Sequence, residues 1–415
     1  MQKRFAITFG EDLHVLRNVR LLQTLLPNTE VLRCSYKIGK SVSGEGFLHL
    51  RPGKALNQIA DYVGANAVQL ILNRVDSYVS LHGKLASHFG CFGPSATAIE
   101  KFRNKASFHK LLVAENMARH RPKTEIVLVS ELEEHIKTRV LPVVIKPFIG
   151  ANSQAVVVIE KLSDLYDHMP LLVDHFSKNR AANTSGLKHT FLVEDYISGQ
   201  QLTPCAYVDH VGKITLLDII DIVRARDLGL EGTNIHYRTT MPKLSNSVVR
   251  EITQILEKIA TSSGLTSTFI DPEFIVTKEG IPFIIEVNPR IGGFRYEMMR
   301  YAFGLDTDLI SIQLAMGEKV TAEKKFKKYC TGVEIWDTRS GTLSAFVIPD
   351  DPSIVEVQQS KFEGDKYLAP PLGNASLGKL FVVADSGTCL ETAKKIRNKL
   401  TLEFEKNKKQ ILLRE

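Results

Sequence analysis

The apolar positions change period several times along the chain, and each change marks a new element. Phe5-Ala-Ile-Thr-Phe9 is a short apolar run that predicts a strand. Leu13, Leu16, Val19, Leu22 and Leu25-Leu26 then recur at helical spacing, and Pro27-Asn28 stops that helix. Val31 to Cys34 and Gln69 to Leu72 add two more strands, so residues 1–94 read as a small α/β lobe. Gly39, Gly44 and Gly46 mark a connector within it. No G-x-G-x-x-G occurs, so no dinucleotide site is expected there.

Gly93-Pro94 breaks the pattern, and a second lobe is expected from residue 95. Ser95 and Asn104 stand where helix N-caps belong, the second helix starting at Lys105 with Phe108, Leu111 and Leu112 on one face. A lysine in a first helical turn is disfavoured by the helix dipole, and an anionic ligand would offset that cost. Val140 to Ile159 then reads as strand, loop, strand. Lys146 ends the first apolar run, and Gly150, Ala151, Asn152 and Ser153 are small enough to let loop N–H groups approach phosphate oxygens. Thr190 to Tyr196 predicts a strand that enters an antiparallel meander with 204–209 and 213–218, and a third lobe is expected over 190–325. Residues 222–247 are long and polar, with Arg224, Arg226, His236 and Arg238, and are expected to form a lid. Asn246 or Ser247 caps a helix whose inward face is Val248, Val249, Ile252, Leu256 and Ile259. A last lobe, 326–415, alternates strands such as Gly378 to Val383 with a helix after Ser386, and Trp336 packs within it.

The stretch Thr268 to Gly293 breaks the rule that acids stay off apolar strands. Phe269 to Thr277 and Ile281 to Val287 are β-branched and aromatic runs joined by Lys278-Glu279-Gly280. With a two-residue loop, Glu273 lies directly opposite Glu286, where like charges repel. Asn288, two residues on, shares the face of Glu286. Two carboxylates and an amide oxygen are hard ligands suited to Mg²⁺. Arg290 follows behind a stiffening proline.

Composition narrows the classes. A chain of 415 residues is too long for one core, and 44% hydrophobic with 24% charged residues is ordinary for a globular protein. No apolar run approaches a membrane span, and the N-terminus lacks the apolar region and cleavage site of a signal peptide, so a cytoplasmic protein is expected. Five scattered cysteines with no CxxC argue for buried thiols, not for zinc or disulfides. The net charge of +7 comes without a nucleic-acid motif, and its densest cluster is Lys324-Lys-Phe-Lys-Lys328. It fits phosphorylated small molecules better than nucleic acid.

Asn104-Lys105, Val143 to Lys146 with its small-residue loop, Val193-Glu-Asp-Tyr-Ile-Ser-Gly199 and Phe283-Ile-Ile-Glu-Val-Asn-Pro-Arg290 occur in the order found in ATP-grasp enzymes. Residues 91–320 resemble that superfamily. The resemblance implies an α/β and α+β chain: an N-terminal α/β lobe, two lobes clasping ATP, and a C-terminal lobe. It implies ATP with Mg²⁺, Mn²⁺ being the alternative ion, and activation of a carboxylate as an acyl-phosphate that an amine then attacks. By the same resemblance, Lys105 and Lys146 contact phosphates, Ser153 lies in the loop closing on them, and Glu194, Tyr196 and Ile197 form the adenine hinge. Glu273, Glu286 and Asn288 match the metal ligands, and Arg290 matches the arginine that steadies the transferring phosphoryl group. Two positions depart from the pattern. Ala155 replaces a usual glycine, and Gln201 stands where many members place a glutamate on the ribose.

Asn288-Pro-Arg-Ile-Gly-Gly293, Gly317-Glu318 and Leu377-Gly-Lys-Leu380 look most like the carboxylate–amine ligases that join amino acids, the L-amino acid ligases. The partners implied are a small carboxylate and an amine, with no nucleic acid and no membrane; homodimers are common in such enzymes. Purine-pathway ligase or biotin-dependent carboxylase chemistry is the alternative, and a non-catalytic nucleotide-binding protein is a further one.

Overall fold

The computed structural model describes every residue except 1–2, 11–12, 38–45, 149–154, 179–188, 231–233, 371–372, 374 and 406–415. Four sheets carry the architecture. The first is parallel, in the order β3 (Phe47–His49), β2 (Thr29–Ser35), β1 (Arg4–Phe9), β4 (Ala67–Leu72). Helices α1 (Leu13–Leu25), α2 (Ala55–Val63) and α3 (Val79–Phe89) flank it. Phe9, Leu32, Ile59 and Leu85 fill its core, as the apolar runs require.

Ser95 caps α4 (Ala96–Arg103) and Asn104 caps α5 (Lys105–Ala114), each side chain accepting from the first turn. The second sheet runs β5 (Thr124–Leu128), β8 (Thr190–Asp195), β6 (Val143–Pro147), β7 (Val157–Ile159), all antiparallel. Helices α6 (Leu132–Lys137) and α7 (Leu162–Lys178) belong to the same region. Thr190–Asp195 thus belongs with the preceding strands and not with the meander that follows. A sheet boundary at 189/190 fails because β8 is buried between β5 and β6, a pairing that apolar periodicity does not report.

The largest sheet has eight strands: β13 (Pro282–Asn288), β12 (Thr268–Val276), β9 (Gln200–Val208), β10 (Ile214–Arg224), β11 (Ile235–Thr240), β14 (Tyr329–Ile335), β18 (Gly378–Ala384), β16 (Ile354–Gln359). The C-terminal segment therefore extends this sheet through β14, β18 and β16. A small sheet of β17 (Lys366–Tyr367), β15 (Gly341–Val347) and β19 (Thr401–Glu405), with α11 (Cys389–Asn398), completes it. The expected lid over 222–247 is overturned. Ile235–Thr240 is a central strand bonded to β10 and β14. Its His, Arg and Thr residues hide the strand signal, because neighbours on both sides bury polar side chains such as His236.

Helix α8 (Asn246–Ser263) begins one residue earlier than expected, since Ser245 accepts from the Val248 N–H and is the cap. Its face of Val248, Ile252, Leu256 and Ile259 packs on the large sheet with Phe274 and Ile284. On the other side lie α9 (Arg295–Phe303) and α10 (Thr307–Ala315). Trp336 is buried and donates to the Ile235 carbonyl. All five cysteines are free thiols, four of them buried. Among the described residues, no helix is long and apolar enough to cross a membrane.

Candidate active site

The β12–β13 hairpin places the acids. Its turn is longer than a two-residue loop: Thr277 N–H bonds Ile281 O, with Gly280 at φ +80 between them. Val276 pairs with Pro282 and Phe274 with Ile284. A bulge then skips Ile285, and Glu273 faces Glu286 as expected. The turn and the bulge offset each other, so the facing acids stand although the loop differs. Bulges of this kind re-aim side chains beside functional sites.

Cations from the second sheet and α5 meet these acids. Lys105 Nζ lies 2.5 Å from Glu286 Oε2. Burial opposes ionisation of Glu286, but Lys105 and Lys146 outweigh it and hold the carboxyl below its ordinary range. For Lys105, burial likewise opposes the charge, and Glu286, Glu273 and Glu194 together raise it. Glu273 goes the other way. Burial first, then Glu286 and Asp271, push its carboxyl well up. Gln201, the ribose candidate, donates from Nε2 to Glu273 Oε2 at 3.3 Å.

The hinge candidate Glu194 is 2% exposed and spent on neighbours. Its Oε2 lies 2.7 Å from Lys146 Nζ and its Oε1 2.8 Å from His109 Nε2. Burial would raise it; Lys146 and His109 bring it down to about 2. Tyr196 and Ile197 follow it in the short link between the second and the large sheet. The Tyr196 N–H donates to Pro142 O, and the Arg226 guanidinium sits over its ring. Ser153 lies outside the described residues. Ala155, where a glycine is usual, has φ +54, a region that favours glycine.

Arg290 is gripped from two lobes. Its Nε and Nη2 donate to Asp76 at 2.5 and 3.0 Å, and its Nη1 donates to Asp271 Oδ2 at 2.6 Å. Burial opposes its charge, and Asp271 with Asp76 drives it strongly up. Asp271 Oδ1 also accepts from Arg295 Nη2 at 3.0 Å, so each oxygen of this acid faces a guanidinium group.

Three partners escaped the sequence. His109 stands four residues after Lys105 on α5, the same helical face, and that spacing was the available signal. Asp76 follows the C-terminal end of β4, where α/β lobes gather ligands, but no residue pattern marks it. Thr203 accepts from Arg295 across the sheet.

The donor set fits a divalent cation. The two carboxylates oppose each other, Lys105 is within ion-pair distance of Glu286, and Asn288 Nδ2 lies 3.2 Å from Glu286 Oε1. Among the described residues no group of three His, Cys, Asp or Glu could hold a metal, so a cation here would take further oxygen ligands such as the Asn288 amide.

Comparisons with known proteins bear on the fold. Residues 139–297 match the ATP-grasp domain family. The protein y4rH of Sinorhizobium fredii is 26% identical over 285 residues, 66% of this chain and 54% of that protein, so the match spans about half of that relative's length. The L-amino acid ligase of Bacillus licheniformis superposes with a TM-score of 0.83 at 16% identity, over 97% of this chain and 99% of that one. Phosphoribosylglycinamide synthetase of Anaerococcus prevotii gives 0.67 at 16% identity, over 97% and 100%. The chain has the ATP-grasp fold and carries an ATP-grasp domain.

Proposed function

We propose that the protein is an ATP-dependent carboxylate–amine ligase. The observation that carries this reading is one buried charge cluster, in which Lys105, Lys146, Glu194, Glu273 and Glu286 converge from a helix and four strands next to Arg290. Phosphoryl transfer is served mainly by position and charge, and this cluster supplies both.

In this reading, residues 95–195 and 196–325 clasp the nucleotide, with Tyr196 and Ile197 at the adenine. Lys105 and Lys146 leave their carboxylate partners for phosphate oxygens. Glu194, fixed by His109, positions the Lys146 ammonium before that exchange. Glu273, Glu286 and Asn288 hold Mg²⁺ or Mn²⁺, which when bound neutralises charge on the phosphates. A substrate carboxylate oxygen attacks the γ-phosphorus, the bond to ADP breaks, and the acyl-phosphate lies against Arg290. The amine then attacks the acyl carbon, phosphate leaves, and the nitrogen loses a proton. The similarity to the L-amino acid ligase structure supports an amino acid as the carboxylate.

The test is a phosphate-release screen of amino acid pairs and simple amines with ATP and Mg²⁺. Release that needs both substrates is expected. Release driven by bicarbonate alone would instead favour carboxylase chemistry, and no release with any pair sinks the ligase reading. Glu286→Gln should keep weak nucleotide binding and lose turnover by roughly 100-fold or more, on the scale of removing one preorganised charge. Unchanged turnover would refute the metal role of Glu286.

A further inference from the structure

Four residues beyond Arg290, the chain makes an uncommon turn. Phe294 is buried, caps the start of α9 and has φ +69. A bulky residue in the left-handed region is strained and persists where surrounding structure requires it. The ring packs against Phe381, their centroids 5.5 Å apart, and two cations also lie over it. The Arg238 guanidinium lies 4.0 Å from its centroid and Lys379 Nζ 4.6 Å. Gly332 of β14 makes the space, since a Cβ there would approach Phe294 Cδ1 to 2.6 Å.

The two cations come from one face of the large sheet. Arg238 pairs with Gly332, and Glu334, two residues along β14, pairs with Lys379. The acids nearby already have partners. Glu334 lies 2.9 Å from Arg238, and Glu297 is engaged by His14 and Gln358. Lys379 has no carboxylate within ion-pair distance among the described residues, and burial lowers its affinity for a proton. A lysine left so is a cation short of an anion, because an unpaired charge in a partly dry niche is costly.

We propose that the niche formed by Arg238, Lys379 and Phe294 is a subsite for an anionic group on one of the two substrates, additional to the carboxyl that is activated. The inference rests on the ligase reading for its link to catalysis, since Phe294 follows Arg290 in the same loop. The chemistry sought is a compact anion, either a side-chain carboxylate or a phosphate ester, received by the Lys379 ammonium beside the Arg238 guanidinium that Glu334 already holds. Neutral side chains would leave Lys379 unpaired and should bind less well.

The experiment is calorimetric titration of the full chain, with Mg²⁺ and a non-hydrolysable ATP analogue present. L-aspartate and L-glutamate are compared with L-asparagine and L-glutamine, and O-phospho-L-serine with L-serine. An acidic member should bind about tenfold or more tightly than its neutral partner, the scale of one charge-assisted contact. Which pair shows the larger ratio decides between carboxylate and phosphate. Lys379→Met should remove most of that preference and leave nucleotide affinity unchanged, and Lys379→Arg should restore it. Equal affinities within each pair, no binding by any of these compounds, or a preference that survives Lys379→Met overturns the subsite. Acid preference without phosphate release in any pair would sink the ligase reading and leave the subsite standing. Release with neutral pairs alone, at a KM indifferent to Lys379→Met, would do the reverse.

Discussion

Arg290 shows how much of the site depends on atoms that touch no ligand. Its grip runs through Asp271, and Asp271 is pressed against Gly292, where an added Cβ would lie 2.4 Å from Oδ1. Gly292→Ala should therefore push the carboxylate off Arg290 and Arg295 and lower stability by roughly 1–3 kcal/mol, the cost of overpacking a filled site. A urea midpoint that falls while the slope holds would show it. Asp218 yields a pH dependence. Burial outweighs nearby Lys324 and the Met241 N–H and pushes its carboxyl up to about 6. The folded chain then binds more protons than the unfolded one between the ordinary carboxylate value of about 4 and about 6. Stability from this group is thus lost as pH rises through that window. Asp218→Asn should flatten denaturation midpoints between about pH 4 and 6, and an unchanged slope would refute the assignment.

At the scale of elements, caps and bulges did what apolar pattern could not. Ser95 and Asn104 were readable as caps because a hydroxyl or amide before an apolar-periodic run has few other uses. At α8 the pattern gave the helix but not its first residue. Ser245→Ala should cost about 1 kcal/mol, whereas the same change at Ser247, which is exposed and only neighbours the cap hydroxyl, should cost less than half of that. Thermal unfolding of the two variants side by side separates them. In the hairpin, the β-branched runs predicted two strands and the facing acids correctly, but the longer turn and the bulge at Ile285 depend on how β12 also pairs with β9. The strand at 235–240 was missed for a related reason, since its polar residues are paid for by neighbours distant in sequence.

Across the whole molecule, the N-terminal lobe meets α10 through Leu22, Leu70 and Leu72 on Ile312 and Ala315, and through charge. Arg74 lies 2.9 Å and Arg17 3.2 Å from the two oxygens of Asp308, Arg17 also holds Asp306, and Asp76 holds Arg290. Asp308 is 1% exposed, so removing its charge takes the carboxylate from Arg74 and leaves Arg17 with Asp306. Asp308→Asn should cost roughly 2–4 kcal/mol, less than a fully buried pair because Arg17 is a third exposed. Hydrogen exchange should quicken first in α1 and residues 73–78, while α8 stays protected. Uniform acceleration across the chain would show that the seam does not act as a unit.

What the sequence by itself determined is what short spacing can encode. That includes the helix faces, the caps, the two apolar strands carrying opposed acids, and the order of Lys105, Lys146, Glu194, Glu286 and Arg290. The faces and caps rest on residues within one element, where a period of 2 or 3.6 fixes which side chains share a face, and the opposed acids on one hairpin. Tertiary structure alone decided that β8 sits between β5 and β6, that residues 235–240 are a strand, and that Glu194 serves Lys146. It also decided that Asp76 reaches Arg290 and that Lys379 and Arg238 meet over Phe294. The side-chain contacts among these join residues from 48 to 214 positions apart. Their energies arise from burial and charge that exist only once separate elements have packed together.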